Sequence, residues 1–384
     1  MSLVYLDNNA TTRVADDVLE EMLPYYGDLY GNPSSMHFFG GQVSGKLTEA
    51  RERVASLIGA DASEITFTGC GSESNNSSIR SAVECLPDRK KIVTTRVEHP
   101  AILGPYKYLE DRGWEVSYLS VNTNGELDLN EVAEKIDDNT ALVSCMWANN
   151  ETGIIFPIEE IGRLAKSHGA IFHCDAVQAA GKVPIDLSDS TIDYLSMSGH
   201  KFHGPKGVGV LYIRRGTPFA PYLIGGHQEQ NRRAGTENTA SIIGIGKAAD
   251  LAKGFVDVET TQVAPLRDRL EQGLLDTCMD AHRNGIGEPR LPNTSSIAFD
   301  YIEGESILLA LSDAEICGSS GSACTSGSLE PSHVLRALGV PFTRVHGSLR
   351  LSLSVYTKDE EIDHVLAELP PIVERLRALS PFGH

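Results

Sequence analysis

The sequence predicts an α/β protein: a mostly parallel sheet covered on both faces, followed by a smaller α+β unit. Three observations predict it. Short apolar runs alternate with helix-like stretches through the first two thirds of the chain. Several of these runs are continuously apolar, as in strands buried on both faces. Near residue 255 the alternation stops and a long helical pattern begins.

The strands expected in order are 65–68, 91–97, 141–147, 170–175, 194–198 and 207–213. Each is short, as expected of strands. Helical patterns at 49–58, 75–86, 101–112 and 158–168 fall before and between them. Ligand groups are therefore expected at the carboxyl ends of the strands. Beyond 255, residues 261–278 read as one helix, with Val263, Leu266, Leu270 and Leu274 on one face. A strand at 295–300, a helix at 305–311, a Gly/Ser stretch, a strand at 348–353 and a helix from Asp359 follow.

Composition excludes several classes. The 384 residues suffice for two or three domains, and 41% are hydrophobic, enough for a sizeable core. The formal charge of −19 argues against sequence-independent binding to nucleic acid or anionic membrane. No apolar run approaches the length of a membrane span. Seven cysteines, an odd number without a CxxC pair, suggest a reducing compartment. The N-terminus lacks the basic and apolar regions of a signal peptide, so the cytoplasm is expected.

Three segments carry chemistry. Phe67-Thr-Gly-Cys-Gly-Ser-Glu-Ser-Asn75 joins a strand to a helix. Its glycines let backbone N–H groups approach an anion, and the helix N-terminus adds partial positive charge. This suits a phosphate, although an ordinary glycine turn with a Ser or Asn cap has the same look. Asp175 ends an apolar strand, where a carboxylate is costly unless it meets a cation or donor such as a protonated pyridine nitrogen. The plainer alternative is a helix cap. Lys201 lies in Ser196-Met-Ser-Gly-His-Lys-Phe-His203, just after a buried strand, where desolvation can make an amine nucleophilic. Most lysines are exposed and do no chemistry. Lys206, in Gly-Pro-Lys-Gly, reads as a turn residue. Together, a phosphate cradle, an acid for a ring nitrogen and a Schiff-base lysine are the parts of a pyridoxal phosphate site.

Further strings extend this pattern: Tyr5-Leu-Asp-Asn-Asn-Ala-Thr-Thr12, Gly31-Asn-Pro-Ser-Ser35, Val97-Glu-His-Pro100, Met146-Trp-Ala-Asn-Asn-Glu-Thr-Gly153, Arg232-Arg-Ala-Gly-Thr-Glu-Asn238 and Ser319-Ser-Gly-Ser-Ala-Cys-Thr-Ser-Gly-Ser-Leu-Glu-Pro-Ser332. With them, nearly the whole chain resembles the cysteine desulfurases of the NifS and IscS group, within the class V aminotransferase family of fold-type-I pyridoxal phosphate enzymes. The version at 146–153 leans toward NifS. The resemblance implies a seven-stranded large domain over 14–257. It also implies a small α+β domain from 1–13 and 258–384.

The resemblance also implies roles. Lys201 would hold the cofactor and shuttle the substrate Cα proton. Asp175 would pair with the pyridinium nitrogen, Gln178 would bond the phenolic oxygen, and His99 would stack on the ring and act on the substrate thiol. Gly71, Ser72, Ser198 and His200 would bind the phosphate; the family more often has Thr at the position of Ser72, which keeps the hydroxyl. Thr236 would reach the phosphate of a partner subunit, so a homodimer is implied. Asn150, also beside the cofactor, and Arg350 would hold the carboxylate of L-cysteine. A planar guanidinium matches a carboxylate bidentately, although a lone strand arginine is more often a surface residue.

Cys324 has no apolar neighbour but Ala323, and no acidic residue lies within five positions. Such a thiol suits sulfur relay rather than a core. Cys85, Cys145, Cys174 and Cys278 read as core residues, Cys317 as packing, and Cys70 has no role despite its place in the glycine loop. The expected reaction moves the sulfur of L-cysteine onto Cys324 as a persulfide, releases L-alanine and passes the sulfur to an iron–sulfur scaffold. By resemblance Cys324 could also touch a nascent cluster. NifS-like strings hint at nitrogenase maturation. Rivals are a selenocysteine lyase, a small aminotransferase, or a non-catalytic assembly surface. His168 and His173 do not have metal-ligand spacing.

Overall fold

The computed structural model describes residues 3–320 and 330–381. Seven strands form its main sheet, in the order Ile65–Thr68, Gly209–Ile213, Tyr194–Ser198, Ile171–Asp175, Thr140–Met146, Lys91–Thr95 and Glu115–Leu119. Gly209–Ile213 is antiparallel to both neighbours, and the other six strands run one way. Parallel neighbours cannot be joined by tight hairpins, so the chain crosses between them through helices such as Pro100–Glu110 and Ile158–Ser167.

The continuous apolar runs have a simple origin. Successive strand residues point to opposite faces. Val93, Val143, Phe172 and Leu195 fall in one buried cluster, while their neighbours Ile92, Leu142, Ile171 and Tyr194 fall in another on the opposite face. Both faces are buried, so apolar residues can occupy successive positions of a strand.

A second sheet is antiparallel, with Thr294–Phe299 between Ser348–Ser352 and Ala281–Arg283. Helices Ala264–Thr277, Gly304–Asp313 and Asp359–Leu379 contribute Leu270, Ile307, Ile362 and Val365 to the cluster around it. Val4 and Leu6 join this cluster, because Val4–Tyr5 pairs in parallel with Ile316–Cys317. Val334 and Leu338 pack instead into the first cluster, though they follow residue 258.

A long helix and an edge strand are among the elements that escape the sequence pattern. The helix Thr239–Val258 buries Ala240 through Gly246 without interruption, so no apolar stripe betrays its period. It lies against helix Phe38–Leu57 so closely that a Cβ on Gly246 would sit 2.6 Å from the Ala50 Cα. The helix expected at 261–278 is Ala264–Thr277, entered through a π-helical turn at Glu259–Val263. The strand Glu115–Leu119 is an edge strand of mixed exposure, which hides it from an apolar search.

Candidate active site

The carboxyl ends of the central strands open into a cavity of about 260 Å³. Strand Ile171–Asp175 delivers Asp175, strand Tyr194–Ser198 delivers Ser198, and the 3₁₀ turn Gly199–Lys201 delivers His200 and Lys201. Gly71 and Ser72 enter at the N-terminus of helix Gly71–Cys85. His99, Asn150, Gln178 and Arg350 complete the set of expected residues in the wall.

The glycine loop is held by its own polar groups. Thr68 Oγ1 and Ser74 Oγ share a hydrogen bond of 2.8 Å. Glu73 accepts from the Gly69 N–H at 2.8 Å and from Arg233 Nε at 2.8 Å. A Cβ on Gly71 would sit 2.8 Å from Val177 Cγ2 and 3.4 Å from Ser198 Cβ. The helix end is therefore packed tightly on the strand ends, with its first N–H groups at the cavity.

Asp175 is 6% exposed, and its carboxylate accepts from Asn75 Nδ2 at 2.7 Å and from the Val177 N–H at 3.0 Å. Lys201 Nζ donates to the carbonyls of Asn9 at 2.6 Å and Ala10 at 2.9 Å. Gln178 Nε2 donates to the same Asn9 carbonyl at 2.9 Å.

His99 caps helix Pro100–Glu110, its Nδ1 accepting from the Ala101 N–H at 3.1 Å. That bond places the ring proton on Nε2. Burial is the largest influence on this imidazole and pulls its pKa down; Lys201 and His333 add to that pull and Asp175 opposes it. His200 bonds Thr11 Oγ1 at 3.2 Å, and burial lowers its pKa to about 4. At neutral pH it therefore offers a neutral imidazole, not a positive charge.

Arg350 is 3% exposed, so it is not the surface arginine of the plainer alternative. Its Nη1 donates to the Asn150 carbonyl at 3.1 Å and its Nη2 to Asp7 Oδ1 at 2.9 Å. Its Nε is buried and has no partner among the described residues. The main chains of Arg350 and Ser319 exchange hydrogen bonds of 2.6 and 3.1 Å. On the other flank, Ser332 Oγ donates to Glu151 at 2.5 Å and His333 Nε2 to the Glu98 carbonyl at 2.9 Å. Cys324 lies outside the described residues, but both ends of the segment containing it are thus tied to neighbours of the site.

Thr236 is exposed and is not in the wall of this cavity. Of the cysteines read as core, Cys145, Cys174 and Cys278 are buried. Cys85 is only half-buried, because it ends its helix where the packing opens. His173 is fully buried between Ser144 and Ser196 hydroxyls at 2.9 and 3.0 Å, while His168 pairs with Asp138 at the surface.

Asn9, Asn75 and Asp7 escape a motif-by-motif reading. Asn9 acts through its carbonyl, which no side-chain pattern reveals. Asn75 and Asp7 sit inside quoted strings, but their roles come from distant partners.

These residues fit a pyridoxal phosphate. Donors for a phosphate converge at the Gly71 helix end. An acid and an amine stand in one cavity, and two buried polar atoms in or beside it, Arg350 Nε and Asn75 Oδ1, lack partners among the described residues.

Comparison with known proteins gives the family. Residues 4–365 match the family described as aminotransferase class-V. The cysteine desulfurase of Nostoc sp. is 59% identical over 382 residues, covering 100% of this chain and 96% of that one. The cysteine desulfurase NifS of Azotobacter vinelandii is 57% identical over 383 residues, covering 100% and 95%. A solved structure titled NifS-like protein superposes with a TM-score of 0.92 at 40% identity, covering 98% of this chain and 100% of that one.

Proposed function

This chain belongs to the aminotransferase class-V family, and on that premise we propose that it is a cysteine desulfurase, moving the sulfur of L-cysteine onto Cys324 and releasing L-alanine with pyridoxal 5'-phosphate as cofactor. One observation carries the reading. Lys201, Asp175, the Gly71 helix end and Arg350 line a single cavity.

When bound, the cofactor supplies an electron sink that acidifies the substrate Cα proton. Gly71, Ser72, Ser198 and His200 would hold its phosphate, with Thr236 of a second subunit, so the enzyme is a homodimer in this reading. Asp175 would face the ring nitrogen, Gln178 the phenolic oxygen and His99 the ring face.

The protein's own groups do the rest. Arg350 and Asn150 receive the substrate carboxylate. Lys201 carries the Cα proton. His99 keeps Nδ1 committed to the Ala101 N–H, so Nε2 serves the substrate thiol. The Cys324 thiolate attacks the substrate sulfur: an S–S bond forms as the C–S bond breaks. The three-carbon fragment takes up protons and leaves as L-alanine, and Cys324 keeps the sulfur as a persulfide. Residues 14–257 form the cofactor domain in this reading, and 1–13 with 258–384 form the domain that carries Cys324. An iron–sulfur scaffold is the proposed acceptor, and the cytoplasm the proposed compartment.

Mass spectrometry after L-cysteine treatment tests the reading. One added sulfur on Cys324 and stoichiometric alanine are expected. Sulfide release at the wild-type rate by Cys324→Ala would overturn it.

A further inference from the structure

Beneath Gln178 and Lys201 lies a second lysine, outside the roles described above. Lys182 is 4% exposed. Its Nζ donates to the Gln178 carbonyl at 3.1 Å, to Gln178 Oε1 at 3.3 Å and to the Lys201 carbonyl at 3.3 Å. Burying an ammonium is costly unless its donors and charge are matched. Here every one of these bonds ends on a residue that shapes the active site.

The consequence for Gln178 is specific. Its Oε1 accepts from Lys182 and its Nε2 donates to the Asn9 carbonyl, which also receives Lys201 Nζ. Turning the carboxamide over would set Nε2 against an ammonium and Oε1 against a carbonyl. Both contacts would be repulsive, so the amide has one orientation.

Glu259 is the carboxyl group beside Lys182. It is 3% exposed, its Oε2 has no hydrogen-bond partner among the described residues, and with Lys182 and Lys201 it lines a cavity of about 10 Å³. It begins the π-helical turn Glu259–Val263, which joins the helix of the main sheet to that of the smaller one. Such turns interrupt a helix where a side chain must be re-aimed. Burial pulls the Lys182 pKa down and pushes that of Glu259 up, and the attraction between them opposes both shifts.

We propose that Lys182, backed by Glu259, is a positioning residue that locks the Gln178 carboxamide in the orientation the cofactor meets. The inference rests on the reading of the cavity as a pyridoxal site.

The test uses holoenzyme and three variants: Lys182→Met, Gln178→Ala and the double. The wild-type absorption band and persulfide formation are recorded first; their absence sinks the cofactor reading itself. With a normal wild type, Lys182→Met is expected to shift the visible band in the same direction as Gln178→Ala. It should lower kcat about tenfold with KM for L-cysteine changed less than about twofold, as expected of a misplaced group rather than a lost binding contact. The double variant should be no worse than Gln178→Ala alone, because both act through one carboxamide. An unmoved band in Lys182→Met, or losses that multiply in the double, overturns the positioning role while leaving the desulfurase reading intact. If Lys182→Met does not fold, Lys182→Met with Glu259→Gln removes both buried ionisable groups and is judged by the same criteria.

Discussion

Lys201 Nζ rests on the main-chain carbonyl of Asn9 at 2.6 Å. Asn9 is in turn stitched to the smaller sheet, its N–H to Ser352 Oγ at 2.9 Å and its Nδ2 to Thr294 Oγ1 at 2.8 Å. The amine proposed for catalysis thus comes from the main sheet and docks on a segment belonging to the other core. The site is built across the junction, where Arg350 also arrives from strand Ser348–Ser352.

Lys201→Ala should abolish turnover and leave the fold intact. The lost contacts include two hydrogen bonds to carbonyls at the cavity wall, which water can replace, for about 1 kcal/mol each. Far-ultraviolet circular dichroism should match wild type, while the Schiff-base absorption and alanine release disappear. Residual alanine release above background would remove Lys201 from its assigned role.

Arg350→Ala should raise KM for L-cysteine steeply. Losing a charge-assisted carboxylate contact costs about 2–4 kcal/mol, or roughly 30- to 1000-fold. The change also strips Asp7 of its partner at 2.9 Å, so a modest loss of stability accompanies it. Steady-state kinetics and a thermal melt separate the two effects. An unchanged KM would reduce Arg350 to a structural tie between Asp7 and the Asn150 carbonyl.

Much of this site was legible because its strongest signals are local. Gly69 to Ser72, Asp175 and Lys201 each sit at a strand end, where short-range pattern suffices. What stayed hidden acts at long range or through the main chain. Asn9 meets Lys201 across 192 positions by a carbonyl, and Asp7 meets Arg350 across 343. The helix Thr239–Val258 stayed hidden for a different reason: unbroken burial from Ala240 to Gly246 erases the period that a partly exposed helix displays.

Glu98 predicts a pH dependence of stability. Its carboxyl is fully buried, and Oε1 accepts from Thr95 Oγ1 and the Met146 N–H, both at 2.9 Å. Burial, reinforced by nearby Asp175, pushes its pKa from 4.5 up to about 8. Between these values the folded state holds a proton that the unfolded chain has released. Its stabilising contribution is therefore complete below pH 4.5 and is lost as pH rises through about 8. His173 works oppositely: burial lowers its pKa from 6.5 to about 3, so its contribution is present above 6.5 and lost on acidification. Glu98→Gln removes only the alkaline loss. Relative to wild type, the variant should gain stability from pH 6.5 to 8, by at most about 1.4 kcal/mol per pH unit. Urea midpoints at several pH values measure this, and a constant gap would show that Glu98 is already ionised in the fold.

Gly71→Ala should weaken cofactor binding more than it weakens the fold. A Cβ there meets Val177 Cγ2 at 2.8 Å, so either that side chain or the helix end must shift. Overpacking of this kind costs about 1–3 kcal/mol. The shift falls on the N–H groups proposed to meet the phosphate, whose alignment sets the strength of each bond. Titration of apoprotein with pyridoxal phosphate, followed by absorbance, should show affinity reduced by about tenfold or more. Gly104→Ala is the matched control. Gly104 lies inside helix Pro100–Glu110 with no atom within 4 Å of a built Cβ, so alanine there should stabilise by a few tenths to about 1 kcal/mol and leave cofactor affinity unchanged. Equal affinity in the two variants would mean that the Gly71 helix end does not carry the phosphate.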